Sequence, residues 1–323
     1  MDSTLVGAEI ALKSNRDLNL IIVGDEKVIT EHLDSYIKQE RVEIIHTTTN
    51  IGMNESPTSA IRTKTDSSIV MGLDLLRTRE DCTAFISAGS TGAVLTGGFM
   101  KVGRIPGVSR PALSPMLPTA DRRGVMVSDV GANMDCKPIH LVHFAVMADI
   151  YMRSKGIENP RIGLLNVGTE DEKGNELTLE VFSILKKLAD AGSINFLGNM
   201  EARDAFTGRY DIIVTDGFAG NVLLKTLEGS GKLFSHELKR AIGGLGGLFG
   251  KLLLAKRLLK MKKSLSEDAT GGAIFLGIKK PVIKAHGNSN ATAICNAILV
   301  GARAGDMNLG DAIEQAIKKL PAE

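Results

Sequence analysis

Short apolar runs rich in β-branched residues alternate with segments of helical periodicity along most of the chain. Leu18–Gly24 is the first apolar run, and a helix near Val28–Gln39 follows it. Val42–His46 predicts a second strand, and Thr83–Ser87 a third, leading into a helix from about Ala93. Val125–Val130 precedes a helix opened by Pro138, with Leu141, Phe144, Ala145 and Ala148 at helical spacing. Arg161–Val167 leads to a helix over Glu176–Ala189; Ile194–Leu197 and Asp211–Thr215 are further strands. Pro281–Ala285 precedes a last long helix. This alternation predicts a three-layer α/β/α fold whose mostly parallel, Rossmann-like sheet is covered on both faces. Nothing resembling a linker divides the chain, so a single domain over residues 1–323 is expected. The stretch from about Gly229 to Gly271 breaks the pattern. It reads as helical throughout, with a cluster at Gly243–Gly250, and is expected to protrude from the domain.

Composition narrows the function. Among 323 residues, 39 Lys and Arg balance 37 Asp and Glu, which argues against a globally basic nucleic-acid binder. Aromatic residues are 4% and Trp is absent, so a base-stacking platform is not expected. No apolar run approaches the ~20 residues of a membrane span, and the first residues do not read as a signal peptide. Cys82, Cys136 and Cys295 lie far apart, which fits buried thiols in a reducing cytoplasm. The histidines lack metal-ligand spacing, and no metal or cofactor is expected.

The 35 glycines carry the main clue. Five small polar loops, each following an apolar run, contain them: AGSTG (Ala88–Gly92), GANMD (Gly131–Asp135), GTEDEKGN (Gly168–Asn175), DGFAGN (Asp216–Asn221) and HGNSN (His286–Asn290). In an open parallel sheet such loops share one edge, where helix N-termini favour anions. Any one of them is an ordinary turn; five together point to a ligand bearing phosphate or carboxylate. A Walker A motif is absent, because Lys173 precedes Gly174 rather than following it. GxGxxG, HExxH and GxSxG are absent as well.

Four blocks are more distinctive: ISAGSTGA (Ile86–Ala93), DVGANMDCKPIHL (Asp129–Leu141), GLLNVGTEDEKGNE (Gly163–Glu176) and TDGFAGNVLLKTLEG (Thr215–Gly229). With FLGNMEARD (Phe196–Asp204) and VIKAHGNSN (Val282–Asn290), they closely resemble the bacterial phosphate acyltransferase family PlsX. The resemblance runs from about Gly7 to Ala304. It implies transfer of a fatty acyl group from acyl-carrier protein to inorganic phosphate, giving acyl phosphate for phospholipid synthesis. It also implies a homodimer and a membrane glycerol-3-phosphate acyltransferase as the next enzyme, which together with the basic segment described below points to peripheral membrane association. Members of that family begin with a strand and a Gly-Gly-Asp loop ahead of the helix matching Val6–Lys13. Neither is expected in this sequence.

Phosphate is its own nucleophile, so such a reaction needs anion donors and alignment rather than a Ser or Cys. Lys173 is the expected cationic donor, with a surface pairing to Glu170 or Asp171 as the alternative. His286 is the candidate acid toward the leaving thiol, or a phosphate donor. Gly89, Ser90, Thr91, Asn133, Gly168, Thr169, Asp216, Gly217, Asn221 and Asn288 are candidate substrate-binding positions. Asp129, Asp135 and Asp216 would repel phosphate if bare, and are expected to orient donors or cap helices. Lys251–Lys263 holds six basic residues and no acidic one. Leu254, Leu258, Met261 and Leu265 form one helical face there, and Leu252, Leu253 and Leu259 fall outside it. Leu253, Lys256, Arg257, Leu259 and Lys260 are expected to touch anionic lipid or the acidic carrier protein.

Overall fold

The computed structural model describes residues 3–37, 39–241 and 271–320. The Gly243–Gly250 cluster and the basic Lys251–Lys263 segment lie outside the described residues.

Helix α1 (Ser3–Ser14) precedes a parallel pair, β1 (Leu20–Gly24) and β2 (Val42–His46), joined through α2 (Glu26–Ile37). Helices α3 (Pro57–Thr63) and α4 (Ser68–Thr78) lead to β3 (Phe85–Ser87) and α5 (Thr91–Gly97), which continues as a π-helical turn, Gly98–Val102. Next come β4 (Ala112–Leu117), β5 (Val125–Ser128), α6 (Pro138–Ser154), β6 (Arg161–Asn166), α7 (Glu176–Asp190), β7 (Asn195–Glu201) and β8 (Ile212–Val214). Helix α8 (Gly217–Ala241) is the last element before the undescribed stretch. After it follow β9 (Ala273–Leu276), β10 (Val282–Lys284), α9 (Ala291–Asp306) and α10 (Leu309–Ile317).

Eight strands form one sheet in the order β3-β10-β9-β4-β5-β8-β6-β7. Alternate residues of its strands sort into two cores, as the two-residue strand period requires. Met126, Ile212, Val214, Ile274 and Ile283 face α1, α2, α6, α7, α9 and α10. Val127, Ile213, Phe275 and Val282 face α3, α4, α5 and α8. These are the three expected layers, and the sheet is mostly parallel. Its centre is not: β9 runs antiparallel to both β10 and β4, and β4 antiparallel to β5. Both strands are absent from the sequence reading. Pro115, which argues against a strand interior, sits where β4 changes partners. Ala112–Pro115 pairs with β9 and Met116–Leu117 with β5, so the missing N–H falls at the handover. The expected last long helix is Ala291–Asp306, and a shorter helix, Leu309–Ile317, follows it after Met307 and Asn308.

Among the described residues, strand β1 pairs only with β2, and β3 only with β10. A cavity of about 620 Å³ is lined by both, together with α1, α4 and α9 residues such as Leu5, Ile69 and Ile294.

Candidate functional site

The glycine loops fall into two groups rather than on one edge. GANMD, DGFAGN and GTEDEKGN follow β5, β8 and β6, which are mutually parallel neighbours. AGSTG and HGNSN follow β3 and β10, also parallel to each other. The antiparallel ladders through β9 and β4 make the second pair run opposite to the first three. The single-edge expectation is thereby corrected: a continuous apolar strand is equally compatible with either direction.

In the first group the organiser is Asp129, fully buried at the end of β5. Its carboxylate accepts from Leu113 N at 2.8 Å, Asn133 N at 2.7 Å, Asn133 Nδ2 at 3.0 Å and Ala132 N at 3.3 Å. Burial lifts its pKa above the ordinary aspartate range, against the pull of those bonds. Asn133 also donates through Nδ2 to Pro111 O at 2.8 Å, so its amide hydrogens brace the loop internally. DGFAGN closes on this hub: Gly217 N donates to Asn133 O at 2.8 Å. A Cβ on Gly217 would lie 2.5 Å from Asn133 O, and one on Gly220 would collide with the Asp129 carbonyl. Glycine at both positions lets the α8 N-terminus approach the β5 loop that closely. Asp216 accepts from Ala219 N at 2.8 Å, a helix cap. Asn221 is half-buried, its Cβ 3.8 Å from where Gly131 would carry one. Met134, Val167 and Phe218 leave apolar surface exposed beside these loops, at 49%, 79% and 65%.

The GTEDEKGN loop is also internally held. Asn166 Nδ2 donates to Lys173 O at 2.9 Å, and Asn199 Nδ2 to Glu170 O at 2.8 Å. Asn175 and Thr178 form a reciprocal cap that starts α7. Gly168 is buried, whereas Thr169 and Lys173 are exposed. Among the described residues the Lys173 ammonium has no carboxylate within 4.0 Å, despite Glu170, Asp171 and Glu172 beside it. The alternative surface pairing is therefore not formed.

The second group is looser. Ala285 N donates to Ser87 O at 3.0 Å, joining the bases of the two loops. Gly89 N donates to Ser87 Oγ at 3.1 Å, and buried Ser90 caps α5 through a long 3.5 Å bond from Ala93 N; Thr91 begins that helix. His286 and Asn288 are exposed. His286 Nδ1 accepts from Asn288 N at 3.2 Å, which leaves the Nε2 hydrogen facing outward in the neutral ring. Beneath them lies Lys284, buried at 7% exposure. The sequence reading gave Lys284 no role. Its visible signal is a lone charge inside the apolar run of β10.

Cys136 follows GANMD, but burial, then the Asp129 and Asp216 charges, push its thiol up to about 12. It is not a competent thiolate. Among the described residues no three His, Cys, Asp or Glu side chains converge as a metal site. None of the described helices is long and apolar enough to cross a membrane.

A family profile described as "Fatty acid synthesis protein" matches residues 1–311. A protein of Bacillus cereus (strain B4264) named "Phosphate acyltransferase" is 46% identical over 298 residues, covering 92% of this chain and 88% of that one. A phosphate acyltransferase of Thermoanaerobacterium thermosaccharolyticum is 42% identical over 309 residues, covering 95% and 90%. Among solved structures, the EutD phosphotransacetylase from Staphylococcus aureus aligns with a TM-score of 0.61 at 15% identity, covering 94% of this chain and 92% of that one. A phosphotransacetylase from Streptococcus pyogenes aligns at 0.60 and 17%, covering 98% and 92%. The structural likeness speaks for the fold alone. The sequence match spans both groups of glycine loops, and by it the chain belongs to the fatty acid synthesis protein family that includes the phosphate acyltransferases.

Proposed function

We propose that this protein is an acyltransferase that moves a fatty acyl group onto inorganic phosphate, supplying acyl phosphate for phospholipid synthesis. The observation that carries the reading is the match to phosphate acyltransferases at 46% identity over 92% of the chain. The chemistry of the loops agrees with it. Phosphate oxygen attacks the thioester carbonyl, the tetrahedral oxyanion forms, and the thiol leaves with a proton. None of these steps needs a protein nucleophile, and Cys136 is held protonated. What the chain must supply is donors and alignment.

Lys173 supplies a positive charge with no carboxylate within 4.0 Å among the described residues. His286, exposed on its loop, can donate a hydrogen bond from Nε2–H to phosphate or, as the imidazolium, give a proton to the leaving thiol. The Gly168 backbone N–H with the side chains of Thr169 and Asn221 adds donors beside Lys173, and the side chains of Ser90, Thr91 and Asn288 add donors beside His286. Gly89 and Gly217 contribute close approach of the chain, their N–H groups being taken by Ser87 and Asn133. Asn133 and Asp216 act by holding the loops in shape. The acyl donor is acyl-carrier protein, and no cofactor takes part. The chain works as one domain, as a homodimer in the cytoplasm. It touches the membrane peripherally, handing acyl phosphate to a membrane glycerol-3-phosphate acyltransferase. Leu253, Lys256, Arg257, Leu259 and Lys260 make the lipid or carrier contact.

The deciding experiment is acyl phosphate formation from acyl-carrier protein and phosphate, run beside acetyl-CoA and phosphate. Turnover only with acetyl-CoA would replace this reading by a phosphate acetyltransferase; turnover with neither would refute it. For the membrane contact, Leu253→Glu with Leu259→Glu should release the protein from anionic liposomes without lowering soluble turnover. Binding that persists would remove those residues from the contact.

A further inference from the structure

Each buried carboxylate among the described residues has partners. Asp129 accepts four N–H groups, Asp211 is clasped by Arg161, and Asp149 by Arg153. Lys284, the one buried Lys or Arg among those residues, has no ionic partner. Its Nζ donates only to the adjacent Ala285 carbonyl. A buried ammonium without a counter-charge is costly, and side chains of this kind persist where an anion completes them. The position is telling. Lys284 ends β10, in register with Ser87 on β3 and Ala273 on β9. The next turns of chain on either side are AGSTG and HGNSN, the latter exposed above it. No carboxylate occurs in either loop, whereas the other loop group contains buried Asp129, then Asp135, Asp216, Glu170, Asp171 and Glu172.

We propose that Lys284 is the seat of a phosphate anion at the corner between AGSTG and HGNSN. This rests on the function proposed above and names where its phosphate group sits. The occupant is inorganic phosphate; the phosphodiester carried by the acyl donor has the same chemistry and is the other source. Lysine suits the role as a compact point charge on a phosphate oxygen. Burial pulls its pKa down to about 8, so without an anion the amine is partly neutral near that pH, and a bound phosphate restores the charge.

The test compares the intact enzyme with Lys284→Met, Lys284→Gln and Lys284→Arg. The neutral variants should raise the KM for phosphate at least tenfold, leave the KM of the acyl donor within threefold, and be partly rescued by arginine. A tenfold rise in the donor KM alone would assign the same seat to the donor's phosphodiester. Melting with and without inorganic phosphate gives a readout independent of turnover. Phosphate should raise the Tm of the wild type and not that of the neutral variants. Lys284→Met should melt at or above the wild type in phosphate-free buffer, because it removes an uncompensated buried charge. If Lys284→Met does not fold, the polar Lys284→Gln is read in its place. Unchanged KM values for phosphate and donor in a folded neutral variant would overturn the proposal. So would a phosphate-free Tm well below wild type in both neutral variants, which would make Lys284 a structural brace. If the wild type forms no acyl phosphate, the functional reading fails, and the Tm shift alone judges the anion seat.

Discussion

Asp129 and Lys284 are opposite answers to one problem. Both are charges buried at the C-terminal ends of strands, directly beneath glycine loops. Asp129 is saturated from within by backbone and amide donors, and the DGFAGN loop is packed onto its loop so closely that only glycine fits at Gly217 and Gly220. Lys284 has a single local acceptor, and the HGNSN loop above it is largely exposed. The difference teaches how to separate scaffold from ligand seat in a chain full of glycine loops. A buried charge whose hydrogen bonds are all internal holds shape. One left without a counter-charge awaits an external partner.

The contrast can be broken at its tightest point. Gly220→Ala should be the most damaging change, because the new methyl collides with the Asp129 carbonyl. Overpacking against backbone that cannot yield is expected to cost about 3 kcal/mol, with loss of activity, read by denaturant unfolding. Second in size is Lys173→Ala. Its side chain is exposed and has no ion pair among the described residues, so stability should move by less than ~0.5 kcal/mol. Turnover should fall roughly 10²-fold if it meets the reacting anion. Wild-type turnover would place Lys173 among ordinary surface lysines.

Asp211→Asn sharpens the scaffold side without touching either loop group. Asp211 accepts from Arg161 Nε, Nη2 and N at 2.8, 2.8 and 2.9 Å, tying the start of β6 to β8. Burial alone would raise its pKa, but the Arg161 bonds prevail and hold it below the usual range. Its stabilisation is therefore full above the unfolded aspartate value of ~3.9 and is lost as the pH falls through the lower folded value. The variant should lose about 2 kcal/mol near neutral pH, since Arg161 is partly exposed, and the gap should close in acid. Equal stabilities at neutral pH would show that the clasp contributes nothing. The smallest effect is expected from Gly287→Ala, the mirror of Gly220→Ala on the open side. Its Cβ would come no nearer than 3.8 Å to Ala88 O, so stability should change by less than ~0.5 kcal/mol.

Much of this arrangement was legible in the sequence. The β-branched runs marked β1, β2, β3, β5, β6, β7, β8 and β10 to within a few residues. Pro138 and Glu176 opened their helices as their residue types predict. Strand direction was not legible, because a strand buried on both faces carries the same apolar run whichever way it points. That is why five loops were placed on one edge; β4 escaped because Pro115 argues against a strand there. Local chemistry read better than long-range chemistry. Asp216 was expected as a cap or donor-orienting group from its place before a helix. The hub made by Asp129, Leu113 and Asn133 joins residues whose meeting depends on the β4–β5 ladder.

The cavity shared by β1 and β3 bears on how the molecule breathes. Every residue of β1 is only partly buried, whereas all of β5 and β8 are fully buried. The two-stranded β1–β2 unit thus leans on the rest through helices rather than through a continuous ladder. Amide protons there should exchange with solvent by sub-global openings of lower free energy than those that release the central strands. A half-covered strand edge is also a template for other chains. The first unit to loosen under mild denaturant is then the first to seed self-association, well before the glycine loops lose their shape.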